Sequence, residues 1–294
     1  MPAPLLGDLR STAHRFRLGG FEVTSILDGA VVRGGVHPTF GHDVDAATFA
    51  AYAAQNRLPA DRYENVFTPA LVNTGSALVL FDTGLGAMGR AGSAGRLRER
   101  LAELGTPAEA IDIVVLTHGH PDHIGGLMEG DAPAFPNARY VIGRVEYDGW
   151  VSGAAIPPQR AHNREVFLKL VPPLADRTTF VEPGQDVVGG ITAVAAHGHS
   201  VGLMAYRIES EGKPLLLWAD AVNHYVFSLQ QPGWQVGFDD LKEQAIATRR
   251  RLLDMAAADA LPVIGHHMPF PGLGYVERGG DGYRWVPLSY QFRV

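Results

Sequence analysis

The chain has 294 residues, 46% of them hydrophobic and 19% charged, with a net charge of −6 and no cysteine. This is the composition of an ordinary globular protein; the acidic balance argues against a nucleic-acid partner, and no apolar run reaches the roughly 18 residues of a spanning helix. Without cysteine, disulfides, thiolate nucleophiles and Cys-ligated metals are excluded, so any metal must rest on His, Asp or Glu.

The first residues lack a long apolar stretch and a small-residue cleavage site, so a cytoplasmic location without a membrane anchor is expected. Residues 21–29 predict a strand ending in a turn. Residues 30–68 read as irregular, apart from one Ala-rich helix over 45–56. Residues 70–84 predict a hairpin about Asn73-Thr74-Gly75, its second strand running into FDTGLG. A helix over 96–105 carries Leu97, Leu101 and Leu104 on one face and Gly105 as its stop. The apolar run 111–117 predicts a strand buried on both faces. Further strands are expected at 138–144, 191–196, 213–220 and 261–267, and a long helix at 239–259. Neither repeats nor low-complexity tracts interrupt the chain, and a single domain is expected over 1–294, its core at 20–275 with terminal extensions packed on it.

Several of these runs end in His or Asp, and strand tips on one sheet edge converge in space. The densest is THGHPDHIGG at 117–126, with His118, His120, Asp122 and His123. Imidazoles so close would repel if protonated, whereas neutral rings around a divalent cation satisfy their nitrogens. If the segment stays extended, residues 118, 120 and 122 share a side and His123 turns away. One cation could take His118 and His120, a second Asp122 and His123. His199 in HGHSVG offers another imidazole. Asp220 ends an apolar strand, a costly place for an unpaired charge, and is placed to bridge. Either His266 or His267 could complete the second position. His197 reads as a supporting residue, and His14, His37, His42 and His162 as surface or packing residues.

The HxHxDH pattern, followed in order by GHSVG, Asp220 and a C-terminal histidine, resembles the metallo-β-lactamase superfamily. FDTGLG is similar to that family's early Asp-Thr-Gly turn. The resemblance implies an α+β fold, an αβ/βα four-layer sandwich of two mixed sheets flanked by helices. It also implies two metal ions, zinc first, with manganese, cobalt or iron as alternatives. By the resemblance, His118, His120 and His199 bind one metal, Asp122, His123 and the last histidine the other, and Asp220 bridges. GHHMPFPGLG is similar to the ending of the branch containing methyl parathion hydrolase and related lactonases, which favours His267 over His266.

The implied chemistry is attack of activated water on a lactone or ester carbonyl, or on a phosphotriester, with Asp122 and Asp220 as catalytic carboxylates. Alternatives are a β-lactamase-type amide hydrolase and an iron-dependent, persulfide dioxygenase-like redox enzyme. Related lactonases often place a tyrosine three positions after the bridging aspartate; Asn223 stands there instead. Phe40, Phe67, Asn223, His224, Tyr225, Phe227 and Phe270 are candidates to line a pocket for a small-molecule substrate. A homodimer would be in keeping with the family.

Overall fold

Alternate residues of a strand point to opposite faces, and the buried clusters record this. Ile113 and Val115 join one core cluster with Val72, Phe81, Tyr206 and Trp218, whereas Val114 and Leu116 join another with Leu97, Leu101, Trp150 and Phe167. The strand Ile113–Leu116 is thus buried on both sides, as its unbroken apolar run predicts. The computed structural model describes residues 3, 5, 9–288 and 292–294; the other positions of the expected terminal extensions lie outside the described residues.

Two seven-stranded sheets face each other across the first cluster. One sheet carries, in spatial as in chain order, Ala13–Leu18, Phe21–Ile26, Ala70–Asn73, Leu78–Phe81, Ile113–Leu116, Arg139–Gly143 and Thr178–Val181. Its first three pairings are antiparallel and its last three parallel. Parallel neighbours need crossovers: the helix Leu97–Glu103 occupies the first, the short turn Pro121–Ile124 lies in the second, and Arg144–Ser152 and Ala161–Leu170 share the third. The other sheet runs Asp186–Val188, Ile191–Ala195, Met204–Ser210, Lys213–Ala219, Val263–Gly265, Leu273–Gly279 and Gly282–Pro287. Only its Lys213–Ala219/Val263–Gly265 pairing is parallel, and the helix Lys242–Ala258 makes that crossover. This is the expected four-layer α+β sandwich. Among the described residues no helix is long and apolar enough to cross a membrane.

Three expectations need correction. Residues 30–68 are not irregular: Gly29–Gly34 and Arg62–Phe67 pair antiparallel, with the helix Ala46–Gln55 between them. Flanking glycines and a short, half-exposed strand hid this pairing, whereas the helix is well signalled by Asp45, whose carboxylate caps Ala47 N at 3.1 Å and Thr48 N at 2.9 Å. The expected extensions are in part sheet, since Ala13–Leu18 and Gly282–Pro287 form edge strands. The long helix starts at Lys242 rather than 239, because Asp239 and Asp240 turn inward.

The inserted segment builds a satellite cluster of Val36, Phe40, Phe49, Tyr63, Val226, Phe227 and Val236. It roofs the sheet edge at which the His- and Asp-bearing strand tips meet.

Candidate metal centre

The loop after Ile113–Leu116 is held by the turn after Leu78–Phe81. Asp82 sits at a φ of 63°, a left-handed conformation that costs a non-glycine residue about 1–2 kcal/mol. That geometry lets its carboxylate accept Thr117 N at 2.8 Å, Thr117 Oγ1 at 2.9 Å and His123 Nδ1 at 2.8 Å. Thr83 N donates to His123 O at 2.7 Å. A Cβ on Gly126 would lie 2.1 Å from Thr83 O, so only glycine permits this approach. The extended side-sharing of 118, 120 and 122 stops at His120, because Pro121–Ile124 forms a helical turn that swings Asp122 and His123 round.

Among the described residues the donor atoms fall into three groups: His118, His120 and His199; Asp122, His123, His266 and His267; and His118, His123 and Asp220. In the first, His120 Nδ1 lies 3.0 Å from both His118 Nε2 and His199 Nε2. Three converging imidazole nitrogens cannot all be satisfied by protons shared between pairs, whereas one cation satisfies all of them. Asp220 stands between the groups. Its Oδ2 lies 3.3 Å from His199 Nε2 and 2.9 Å from His267 Nε2, and its Oδ1 3.3 Å from His123 Nε2. The preceding Ala219 has a φ of 48°, a second strained residue aiming a carboxylate.

The far edges of the rings are fixed by groups the sequence reading did not single out. His199 Nδ1 donates to Asp239 Oδ1 at 2.9 Å, and Arg249 holds the other oxygen at 2.6 Å. Asp240 Oδ2 lies 3.4 Å from His120 Nε2, with Arg160 Nε on Oδ1 at 2.7 Å. His267 Nδ1 donates to Val66 O at 2.7 Å. Such partners set the tautomer and orient a ligand. Asp239 and Asp240 read as the acidic start of a helix, and nothing local in the sequence marks Glu146. Yet Glu146 is wholly buried and accepts Gly119 N, Trp150 Nε1, Ser200 Oγ and Gly202 N at 2.5–2.7 Å.

Protonation divides the centre. Burial, aided by neighbouring imidazoles, holds His118 well below the ordinary range. Burial also brings His120 down to about 4, against the pull of Asp240. Both are neutral at pH 7 and offer lone pairs. For His267 burial opposes the charged form, but Asp220 and Asp122 outweigh it and raise the group to about 10. His123 is likewise raised against its burial by Asp220, Asp82 and Asp122. Asp122 and Asp220 lie below the carboxylate range despite burial, because His123 and His267 face them. The carboxylate half thus draws positive charge. His123 Nε2 and Asp220 Oδ1 are buried without a hydrogen bond. Neutral imidazoles, ionised carboxylates and inward atoms without a hydrogen bond suit divalent cations.

Two cavities meet here. A polar one of about 230 Å³ is lined by His120, Asp122, His199, Asp220, His267 and Arg160, among others. A larger one of about 690 Å³ is mainly apolar and shares His267 with it. His224, Tyr225, Phe227 and Phe270 line the larger cavity, but Phe40, Phe67 and Asn223 line neither. Phe40 is buried behind His224, Phe67 packs edge-on against His267, and Asn223 turns inward to accept Ser228 Oγ at 2.7 Å. His197 stands outside the donor groups, and His42 and His162 are exposed. His37 packs on Phe49, and His14 on the edge strand Ala13–Leu18 stacks on Phe292.

The family model described as metallo-beta-lactamase superfamily matches residues 69–267, more than half of the chain. A search of curated proteins finds no match. Among solved structures, AidC, a dizinc quorum-quenching lactonase, is similar with a TM-score of 0.89 at 24% identity, over 95% of this chain and 98% of that one. The hydrolase AbOPH, of the beta lactamase superfamily, gives 0.87 at 22% identity, over 97% and 100%. A probable metal-dependent hydrolase from Staphylococcus aureus gives 0.73 at 21%, over 92% and 98%. At these identities the likeness establishes the fold.

Proposed function

The chain belongs to the metallo-beta-lactamase superfamily, and from that premise we propose that it is a dinuclear metallo-hydrolase, zinc-loaded, acting on a lactone or ester carbonyl. One observation carries the reading: two sets of donors share the Asp220 carboxylate beside a mainly apolar cavity of about 690 Å³. In this assignment His118, His120 and His199 would hold one cation, Asp122, His123 and His267 the other, and Asp220 would serve both. Bound cations would supply a water-derived nucleophile near neutral pH and polarise the substrate carbonyl.

The protein's own part is orientation and proton management. Asp239 and Val66 O hold the distal ring nitrogens of His199 and His267, and Asp240 stands 3.4 Å from that of His120, so that the opposite ring nitrogens face inward. Asp122 is ionised, and its side chain is 22% exposed to the polar cavity, against 4% for Asp220. It therefore accepts the proton of the attacking water at a carboxylate oxygen and returns it to the leaving alkoxide. The larger cavity takes the apolar arm of the substrate and fixes the carbonyl over the centre. The acidic net charge and apolar wall favour a neutral small molecule. The fold shared with AidC is in keeping with a lactone.

The test compares initial rates of the metal-loaded enzyme on an aryl lactone, a long-chain homoserine lactone, a phenyl ester and a methyl phosphotriester, with a chelated control. Chelator-sensitive hydrolysis led by a carbonyl substrate is expected. A phosphotriester lead would move the protein to organophosphate hydrolysis, and silence on all four would remove the reading.

A further inference from the structure

His224 is 9% exposed and forms part of the wall of the 690 Å³ cavity. Its Nδ1 accepts the backbone N–H groups of Val226 and Phe227, each at 3.1 Å. A nitrogen that accepts two amides cannot carry the proton, so the neutral ring carries it on Nε2. The plane is clamped by Phe227 at 4.4 Å, Tyr225 at 5.0 Å and Phe40 at 5.0 Å between centroids, so the ring cannot turn to exchange its edges. Nε2–H finds no acceptor among the described residues. Of the other polar side chains of this wall, Arg10 pairs with Glu64, Arg62 with Asp61, and His267 faces Asp220, while the phenol side chains of Tyr63 and Tyr225 border it as well. Burial keeps the His224 imidazole uncharged, down to about 3.

A fixed, uncharged donor in an apolar wall is a specificity element. It leaves an apolar ligand with an unpaired N–H to bury, and it gives an anion too little to replace its hydration. We propose that His224 is a specificity-determining residue whose Nε2–H takes a neutral, carbonyl-type oxygen on the substrate arm that occupies the larger cavity. The substrate class narrows to lactones or esters whose non-reacting arm carries an internal carbonyl. This rests on the hydrolase reading for the reacting group, and on the cavity alone for the arm.

The test is calorimetric binding to the zinc-loaded protein of γ-lactams with arms of equal length, one plain alkyl and the others with a ketone walked along the arm. The wild type is expected to favour one ketone position over the plain arm by about tenfold. In His224→Asn the side-chain oxygen still reaches the two amides where Nδ1 stood, while nothing replaces Nε2–H, and the ratio falls to about one. His224→Leu serves as a second variant, and thermal melts show that both are folded. No preference at any ketone position, a preference that survives in His224→Asn, or no binding of any lactam would each overturn the proposal. Hydrolysis of unsubstituted lactones by the same preparation judges the hydrolase reading separately.

Discussion

Glu146 Oε1 accepts the backbone N–H of Gly119 at 2.7 Å, and its Oε2 that of Gly202 at 2.6 Å. Gly119 lies between His118 and His120, and Gly202 three residues beyond His199, so one buried carboxylate staples the two loops that carry these histidines. All four of its partners donate. In Glu146→Gln an amide NH₂ must face either Gly202 N–H or the Gly119 and Trp150 N–H groups, and a buried donor is left unpaired. The expected cost is about 1–3 kcal/mol in unfolding free energy, together with weaker zinc retention against a competing chelator. Denaturant unfolding and chelator titration check both. A variant that matches the wild type in each would show that the staple is dispensable.

Asp239 and Arg249 form an ion pair at 2.6 Å with neither side chain exposed. Arg249 also donates to Ala221 O, Pro232 O and Trp234 O, tying down the loop that carries Asp220. Asp239→Ala strands this guanidinium and frees His199 Nδ1, at an expected cost of about 3–5 kcal/mol. Asp239→Asn keeps an acceptor for His199 and should keep more zinc than the alanine variant. Paired melts and elemental analysis would decide, and equal zinc loss in both variants would count against an orienting role.

The sign of one pH effect follows from His224. Its native value, about 3, lies below the ordinary 6.5 because burial penalises the imidazolium. As pH falls below 6.5 the unfolded chain takes a proton that the native ring refuses, so stability is lost progressively toward pH 3. Above 6.5 the effect is absent. In His224→Asn the melting temperature should therefore fall less steeply between pH 7 and 5 than in the wild type. Parallel slopes would mean that the ring titrates alike in both states.

Much of this was legible in the sequence because it depends on local spacing. The runs 70–84 and 111–117 predict their strands by apolar pattern, and the HxHxDH segment announces metal chemistry by residue type alone. What escaped depends on pairing across distance. Gly29–Gly34 becomes a strand only by meeting Arg62–Phe67. Glu146 lies on an unremarkable helix and matters only because residues 119, 200 and 202 arrive around it. Asp239 and Asp240 imitate a helix start, which is what acidic residues before such a run commonly are. The expected pocket wall failed at Phe40 and Phe67 for a related reason: aromatic character does not say which side of a wall a ring occupies.

His266 and His267 provide the sharpest test of the ligand assignment, since both belong to the group that includes Asp122 and His123. The carbonyl of Val66 accepts from His267 Nδ1, which leaves Nε2, the nitrogen a cation would take in place of a proton, facing Asp220 Oδ2 at 2.9 Å and Asp122 Oδ2 at 3.4 Å. His266 lies with its ring 4.0 Å from that of His123, tilted by 34°, and its buried Nε2 has no hydrogen bond. On the proposed assignment His267 is the donor and His266 the backing against which His123 is positioned. His267→Ala should lose one of two zinc ions per chain and reduce kcat/KM by about a hundredfold or more. His266→Ala should keep both ions and lose about tenfold or less, through looser placement of His123. Zinc per chain by elemental analysis, read beside initial rates, separates the two: if His266→Ala sheds the ion and His267→Ala keeps it, the last ligand is His266.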